Sequence, residues 1–146
     1  MKFYVIAWGK LKESFYREGA EHYIKRIKAF IDIEHIEFKE KRASKKDLDR
    51  IVKRLPLKHE IWLLDEKGSL LTTEQFARII QQRINLGMNA LVFLIGGPYG
   101  DPLLKEIADK TLSLSTLTFP HRLARLILLE QLYRVMTIIK GTPYNH

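Results

Sequence analysis

The chain has 146 residues, with 25 Lys and Arg against 17 Asp and Glu, a formal net charge of +8 and no cysteine. A chain of this length is typically one domain, and we expect a single domain over residues 1–146. The lack of cysteine excludes a disulfide scaffold, a thiol nucleophile and zinc sites built on sulfur. The positive balance favours polyanionic partners, with nucleic acid ahead of an anionic membrane surface.

Strand and helix signals alternate along the chain. Short apolar runs predict strands at residues 3–8, 31–38 (with a phase slip around His35), 61–64, 90–95 and 112–114. Helices are predicted between them, and the last one runs from about residue 122 to 140 before Gly141. This alternation predicts an α/β domain with a mostly parallel sheet flanked by helices.

Several helix ends are marked by specific residues. Ser14 is the predicted cap of a helix whose apolar stripe begins at Phe15, and Ser44 with Asp47 forms a capping-box pattern before residues 45–55. In that second helix, the inward face is predicted to hold Leu48, Ile51, Val52 and Leu55. Thr72 or Thr73 begins the next helix, which Gly87 ends, and Asp101 caps a helix with Pro102 at its first position. The turn around Gly68 closes the third strand.

No stretch is long enough to cross a membrane. The N-terminal apolar run covers residues 3–8, whereas a membrane-spanning helix needs about 20 apolar residues. We therefore expect a soluble cytoplasmic protein without a membrane partner.

Much of the positive charge lies in one window. Residues 39–54 carry +5 of the net charge, and Lys45, Lys46 and Arg50 are candidate RNA-binding residues within it. Clustered cations release counterions when they contact a nucleic acid backbone. The alternative for this window is a solvated helix face.

Two loops are candidate ligand sites. Residues 96–100 read Gly-Gly-Pro-Tyr-Gly after the fourth strand, where open α/β sheets bind ligands, but they match neither a P-loop nor G-x-G-x-x-G. Residues 112–121 alternate hydroxyl and apolar side chains before Pro120 and His121, as in a loop that lines an apolar slot for a heterocycle. Each loop taken alone is also compatible with a simple connection. The five histidines show no ligand spacing, so no metal site is predicted.

Taken together, these stretches resemble one family. Leu64-Asp65, the Gly-Gly-Pro-Tyr-Gly loop, residues 112–121, the following helix with Arg125, and Pro143-Tyr144 are similar in order and spacing to the SPOUT-class ribosomal RNA large subunit methyltransferase H family. The resemblance covers essentially the whole chain. This chain departs from the family pattern at Tyr99, where members commonly carry glutamate, and in its Tyr144-Asn145-His146 tail.

The resemblance implies a fold, a cofactor and a substrate. It implies a C-terminal trefoil knot and a homodimer, with S-adenosylmethionine bound in the knot. By match to the family pattern, the cofactor-binding residues would be Leu64, Gly96, Ser115, Thr116, Leu117, Thr118, Phe119 and Pro120. The implied reaction is N3-methylation of a pseudouridine in helix 69 of 23S ribosomal RNA, within assembled ribosomes.

Candidate catalytic residues follow from the chemistry of that reaction. The imide nitrogen must lose its proton, so a base, or a cation that stabilises the anion, should assist. The candidates are His121, Arg125, Tyr144 and His146. Two other functions stay open at this point: a non-catalytic RNA-binding module, and a SPOUT methyltransferase that acts on transfer RNA.

Overall fold

A computed structural model describes residues 1–146, which form five strands and five helices in strict alternation. The strands are β1 (Lys2–Trp8), β2 (Asp32–Phe38), β3 (His59–Leu70), β4 (Ala90–Ile95) and β5 (Lys110–Ser113). The helices are α1 (Ser14–Ile27), α2 (Lys45–Arg54), α3 (Thr73–Asn85), α4 (Pro102–Ile107) and α5 (His121–Lys140). The predicted α/β class is confirmed.

All five strands are parallel and lie in the order β2-β1-β4-β3-β5. Every residue of β4 is buried because helices cover both faces of the sheet. Helices α1, α3 and α5 pack on one face, in a core that includes Ile27, Ile80 and Leu128. Helices α2 and α4 pack on the other face through residues such as Leu48 and Leu104. The knot implied by the resemblance stays a prediction.

Helix α1 begins differently from the prediction. Ser14 is its first helical residue and Glu13 is the N-cap, without a side-chain capping bond. The Glu13 carboxylate is instead bound by Arg122 at 2.5 Å. Phe15 is 64% exposed and packs on Tyr16 rather than in the core. The assignments of Ser14 as the cap and of Phe15 to the buried stripe were therefore wrong.

Helix α2 has the predicted capping box but a different buried face. The Ser44 hydroxyl accepts the Asp47 N–H, and the Asp47 carboxylate accepts the Ser44 N–H. The same carboxylate accepts the indole N–H of Trp8 at 3.0 Å, which turns the Asp47 side of the helix inward. Val52 is consequently 52% exposed, contrary to the prediction, and the helix ends at Arg54 with Leu55 as the C-cap.

Strand β3 is much longer than the predicted residues 61–64. It continues to Leu70 through a bulge, so that Leu64 and Ser69 both pair with Leu112 of β5. Gly68 lies within this irregular stretch, where a Cβ would come within 2.7 Å of the Leu112 backbone nitrogen. Gly68 therefore permits a close approach of two strands, and the prediction that β3 ends at residue 64 was wrong.

The C-terminal half follows the sequence signals closely. Thr72 and Gln75 form a capping box at α3, and Asp101 caps α4 by accepting the Leu103 N–H at 3.1 Å. Helix α5 ends at Lys140, and Gly141 follows with a φ of 66°. Strand β5 begins two residues earlier than predicted. None of the helices has both the length and the apolar composition that crossing a membrane requires.

Candidate active site

The carboxyl ends of the parallel strands place three loops along one edge of the sheet. Residues 9–12 follow β1, residues 39–43 follow β2, and residues 96–100 follow β4. The Gly9 N–H donates to the Phe38 carbonyl at 2.8 Å, which joins the ends of β1 and β2. We call residues 39–43 the basic segment, because they include Lys39, Lys41 and Arg42.

Arg125 lies beneath this edge and is completely buried. Its guanidinium donates to the Glu37 carboxylate at 2.5 Å and to the Gly9 carbonyl at 2.8 Å. The same Glu37 oxygen accepts the Leu11 N–H at 2.9 Å. Burial lowers the pKa of Arg125, while the Glu37 charge opposes that shift. Arg125 therefore holds the loop after β1 onto helix α5.

His121 is the first residue of α5 and lies beside Gly9. Its Nδ1 atom is buried and has no partner among the protein's own groups. Burial lowers the pKa of His121, and the positive charges of Arg122 and Arg125 lower it further. Lys41 acts in the same direction, so the basic segment lies within electrostatic reach of this imidazole. At neutral pH the His121 ring is therefore neutral and able to accept a proton.

The tail residues Tyr144 and His146 lie at the opposite end of α5. The Tyr144 hydroxyl donates to Glu130, and its ring packs beneath the Arg134 guanidinium at 4.0 Å. Burial and the bond to Glu130 raise the pKa of Tyr144 to about 12, so this phenol is a donor at neutral pH. His146 contacts the Tyr144 ring, with 4.7 Å between ring centroids.

The four candidate catalytic residues are thus divided between two places. His121 and Arg125 occupy the first turns of α5, while Tyr144 contacts Glu130 and Arg134 in the later turns. Residues 121 and 134 are separated by about 20 Å of helix at 1.5 Å per residue. Within one chain, the structure does not bring the two pairs together.

The candidate cofactor residues of the loop at residues 115–120 lie mostly at the surface. The Ser115 hydroxyl accepts the Leu117 N–H at 3.0 Å, and the Ser113 hydroxyl donates to the Ser115 carbonyl at 2.9 Å. These bonds give the loop a defined shape. Leu117 is 69% exposed, and Thr116, Thr118 and Pro120 are exposed as well.

A cavity of about 340 Å³ lies between this loop and helix α3. Its lining includes Leu71, Phe76, Ser113, Ser115, Phe119 and Ile127. The structure therefore brings Ser115 and Phe119 together around one space. Leu64 and Gly96 are not among the residues that line it: Leu64 pairs with Leu112 on β5, and Gly96 lies against Leu104 of α4.

Lys45, Lys46 and Arg50 lie on the exposed side of α2. None of the three forms an ion pair, whereas Arg54 at the end of the same helix binds Glu34 at 2.5 Å. Their cations are therefore free to bind an external anion. No three His, Asp or Glu side chains converge in the way that a metal site requires.

Comparison with known proteins decides the family. The protein-family model described as "Predicted SPOUT methyltransferase" matches residues 1–146 of this sequence. This chain belongs to the SPOUT methyltransferase family. The family and the enzyme class predicted from the sequence, a methyltransferase, are both confirmed.

Curated relatives match the SPOUT chain over its full length. "Ribosomal RNA large subunit methyltransferase H" of Acetivibrio thermocellus is 40% identical, covering 99% of both chains. The proteins of the same name from Coprothermobacter proteolyticus and Cytophaga hutchinsonii are 41% and 38% identical, covering 99% and 100% of both chains.

Two residues that shape this SPOUT site were not singled out by the sequence. Glu37 binds Arg125. Its only signal in the sequence is that the alternation of apolar and polar residues in β2 is interrupted, because His35 and Glu37 lie on the same face of the strand as the buried Ile33. Gly97 packs directly on the backbone of the basic segment, since a Cβ there would overlap the Lys41 carbonyl oxygen. Nothing in the sequence marks Gly97 apart from its glycine neighbours.

Proposed function

We propose that this SPOUT chain is an S-adenosylmethionine-dependent methyltransferase that N3-methylates a pseudouridine in helix 69 of 23S ribosomal RNA, on cytoplasmic ribosomes. One observation carries the proposal: a cavity-lining loop leads directly into His121, beside a segment of unpaired cations. The name shared by the full-length relatives supports large-subunit ribosomal RNA as the substrate.

The residues around the cavity fit the chemistry of S-adenosylmethionine. Phe76, Phe119 and Ile127 offer apolar surface to an adenine ring, while Ser113 and Ser115 supply hydroxyl and backbone groups nearby. Most ligand sites combine an apolar lining with a few polar groups in this way. Leu64, Gly96 and the remaining residues of the loop at 115–120 stay proposed cofactor residues on the strength of the family pattern.

Little side-chain chemistry is required of the protein. When bound, S-adenosylmethionine supplies an electrophilic methyl group on a sulfonium. Holding nucleophile and methyl in line contributes about 7–11 kcal/mol to lowering the barrier. His121, neutral at pH 7, is placed to accept the imide proton, and the buried Arg125 positions the surrounding loop. Tyr144, with its raised pKa, is suited to donating a hydrogen bond rather than to removing a proton.

A homodimer accounts for the division of the candidate catalytic residues. Because Tyr144 and His146 lie far from His121 in the same chain, only a second copy could place a tail beside that imidazole. Such an interface would also cover exposed apolar side chains. Leu117 is exposed in the 115–120 loop, and Ile138 is exposed on α5. A chain of this size also gains substrate surface by pairing.

The test uses labelled cofactor and ribosomes that lack the modification. We expect saturable heat when S-adenosylmethionine is titrated into the protein, and label at one nucleotide of helix 69 when the modified RNA is mapped by mass spectrometry. A titration without heat at millimolar cofactor would favour the non-catalytic RNA-binding module. Label confined to transfer RNA would favour the other SPOUT substrate class.

A further inference from the structure

The glycine loop carries an aromatic side chain that the cofactor and catalytic assignments do not use. The Gly100 N–H lies 3.4 Å from the Gly97 carbonyl, which closes a four-residue turn with Pro98 and Tyr99 in its centre. We call residues 97–100 the glycine turn. Pro98 has a fixed φ, so the turn is stiff, and Tyr99 at its tip is 82% exposed. An exposed, rigidly mounted ring is suited to stacking.

The glycine turn is fastened to the basic segment by two backbone contacts. Gly97 lies so close to Lys41 that its carbonyl oxygen occupies the space of a Cβ. Asp101, directly after the turn, accepts the Ala43 N–H at 2.7 Å and the Leu103 N–H at 3.1 Å. The Tyr99 ring and the cations of the basic segment are therefore held on one surface.

The cations on this surface have no protein partners. Lys39, Lys41 and Arg42 are exposed, as are Lys10 and Lys12 in the neighbouring loop, and none of the five forms an ion pair. Three carboxylates lie at these loops. Glu13 is bound by Arg122, Asp101 accepts two backbone N–H groups, and Glu40 is exposed. This surface is thus a strongly positive region around a single exposed ring.

We propose that Tyr99, with Lys41 and Arg42, forms a platform on which an unpaired RNA base stacks while the cations bind its phosphates. The proposal rests on the proposed function, in which RNA is the substrate. Aromatic rings flanked by cations bind single-stranded and looped RNA, because bases in a duplex are already stacked on their neighbours. Gly9 lies beside the His121 ring, and its N–H donates to the carbonyl of Phe38, directly before the basic segment, so the stacked base would lie at the same edge of the sheet as His121.

The first experiment compares binding of a stem-loop RNA with binding of the blunt duplex made from its stem. Tyr99→Leu is expected to weaken stem-loop binding about 5- to 100-fold, the range of losses typical of single stacking residues. Tyr99→Phe keeps the ring and is expected to bind as the wild-type does. Phe15→Leu removes another exposed ring, on α1, and serves as the matched control.

The second experiment measures the salt dependence of stem-loop binding. Lys41→Gln with Arg42→Gln is expected to lower the slope of log K against log salt by about 0.7 for each phosphate that the variant no longer binds. Lys25→Gln with Lys28→Gln removes the same charge from exposed positions at the end of α1, near the opposite edge of the sheet, and should leave the slope nearly unchanged apart from the reduced net charge.

The outcomes separate this proposal from the proposed function. If Tyr99→Leu binds the stem-loop as tightly as the wild-type while both methylate ribosomes, the platform is wrong and the function stands. A parallel loss of S-adenosylmethionine affinity in Tyr99→Leu would also overturn it, since the ring would then shape the cofactor site. If the wild-type binds the stem-loop through Tyr99 but neither binds S-adenosylmethionine nor transfers a methyl group, the function is wrong and the platform stands.

Discussion

The two ends of helix α5 differ in how completely their polar groups are satisfied. At the later end, Glu130 accepts bonds from Arg134, Tyr144 and Gln131. At the first end, buried atoms without a protein partner accumulate: His121 Nδ1, Arg122 Nε, Arg125 Nε, Glu13 Oε2 and His35 Nε2. Buried polar atoms in native proteins are nearly always paired, so unpaired ones require an explanation. The paired groups at the later end hold the tail, whereas the buried groups at the first end are available to bind an ordered water or a ligand.

Breaking the Glu37–Arg125 pair should have the largest effect. Glu37→Ala leaves the fully buried Arg125 without its counter-charge, and we expect a loss of about 3 kcal/mol or more in the free energy of unfolding in urea. Glu34→Ala, on the same strand but paired with Lys2 and the exposed Arg54 near the surface, should cost less than about 1 kcal/mol.

A second variant checks that charge, and not only packing, is responsible. Glu37→Gln keeps an acceptor for the Leu11 N–H but removes the counter-charge, so it should fall between the wild-type and Glu37→Ala. Equal stabilities for Glu34→Ala and Glu37→Ala would mean that the buried pair does not support the first end of α5.

Gly97→Ala is expected to have the next largest effect. The added Cβ would overlap the Lys41 carbonyl, and relieving such a clash typically costs about 1–3 kcal/mol. Gly96→Ala is the matched control, because its Cβ would meet Leu104 at 3.5 Å, an ordinary contact, and its unfolding free energy should change by less than about 1 kcal/mol. Thermal melting of both variants tests this, and identical melting temperatures would show that the basic segment moves freely.

The smallest expected effect is on the pH dependence of stability, in which the two ends of α5 contribute over different pH ranges. Burial lowers the pKa values of His35 and His121, so the unfolded chain binds protons first and the free energy of unfolding falls as the pH drops below about 6.5. At the other end, burial pushes the pKa of Glu130 upward, but its hydrogen bonds from Arg134 and Tyr144 outweigh this and leave it lowered. The stability from Glu130 is therefore lost only at pH values below its ordinary 4.5.

Urea titrations between pH 7 and 5 measure this effect. Replacing both His35 and His121 with Gln should flatten the decline over that interval, while Glu130→Gln should leave its slope unchanged. A decline that persists in the double variant would assign the pH dependence to other groups.

The parts of the fold that depend on local signals could be predicted from the sequence. The capping box at Ser44, the helix start at Thr72, the apolar run of β4 and the glycine after α5 all depend on neighbouring residues, and each formed as expected. The bulge of β3 could not be predicted, because it depends on pairing with β5, more than 40 residues later in the chain. Val52 was misplaced for a similar reason, since the bond from Trp8 to Asp47 turns the helix.

The same distinction between local and long-range contacts applies to the candidate site. Of the predicted cofactor residues, Ser115 and Phe119 line the cavity, because they belong to one continuous loop, whereas Leu71, Phe76 and Ile127 reach it from other parts of the chain. The supports of the site are long-range contacts: Glu37 reaches Arg125 across 88 positions, and Asp101 reaches Ala43 across 58. The position of the tail could not be predicted either, because it depends on the contact of Tyr144 with Glu130, which places the tail away from His121.

The contact between Gly97 and Lys41 has a consequence for how relatives of this protein can diverge. Because two backbones touch there, a side chain at position 97 can be accepted only if the segment around position 41 changes its path at the same time. Insertions, deletions or prolines in residues 39–43 should therefore be found together with changes in the glycine turn. Across an alignment of relatives, these two stretches are expected to vary as one inherited unit, although more than 50 residues separate them in the chain.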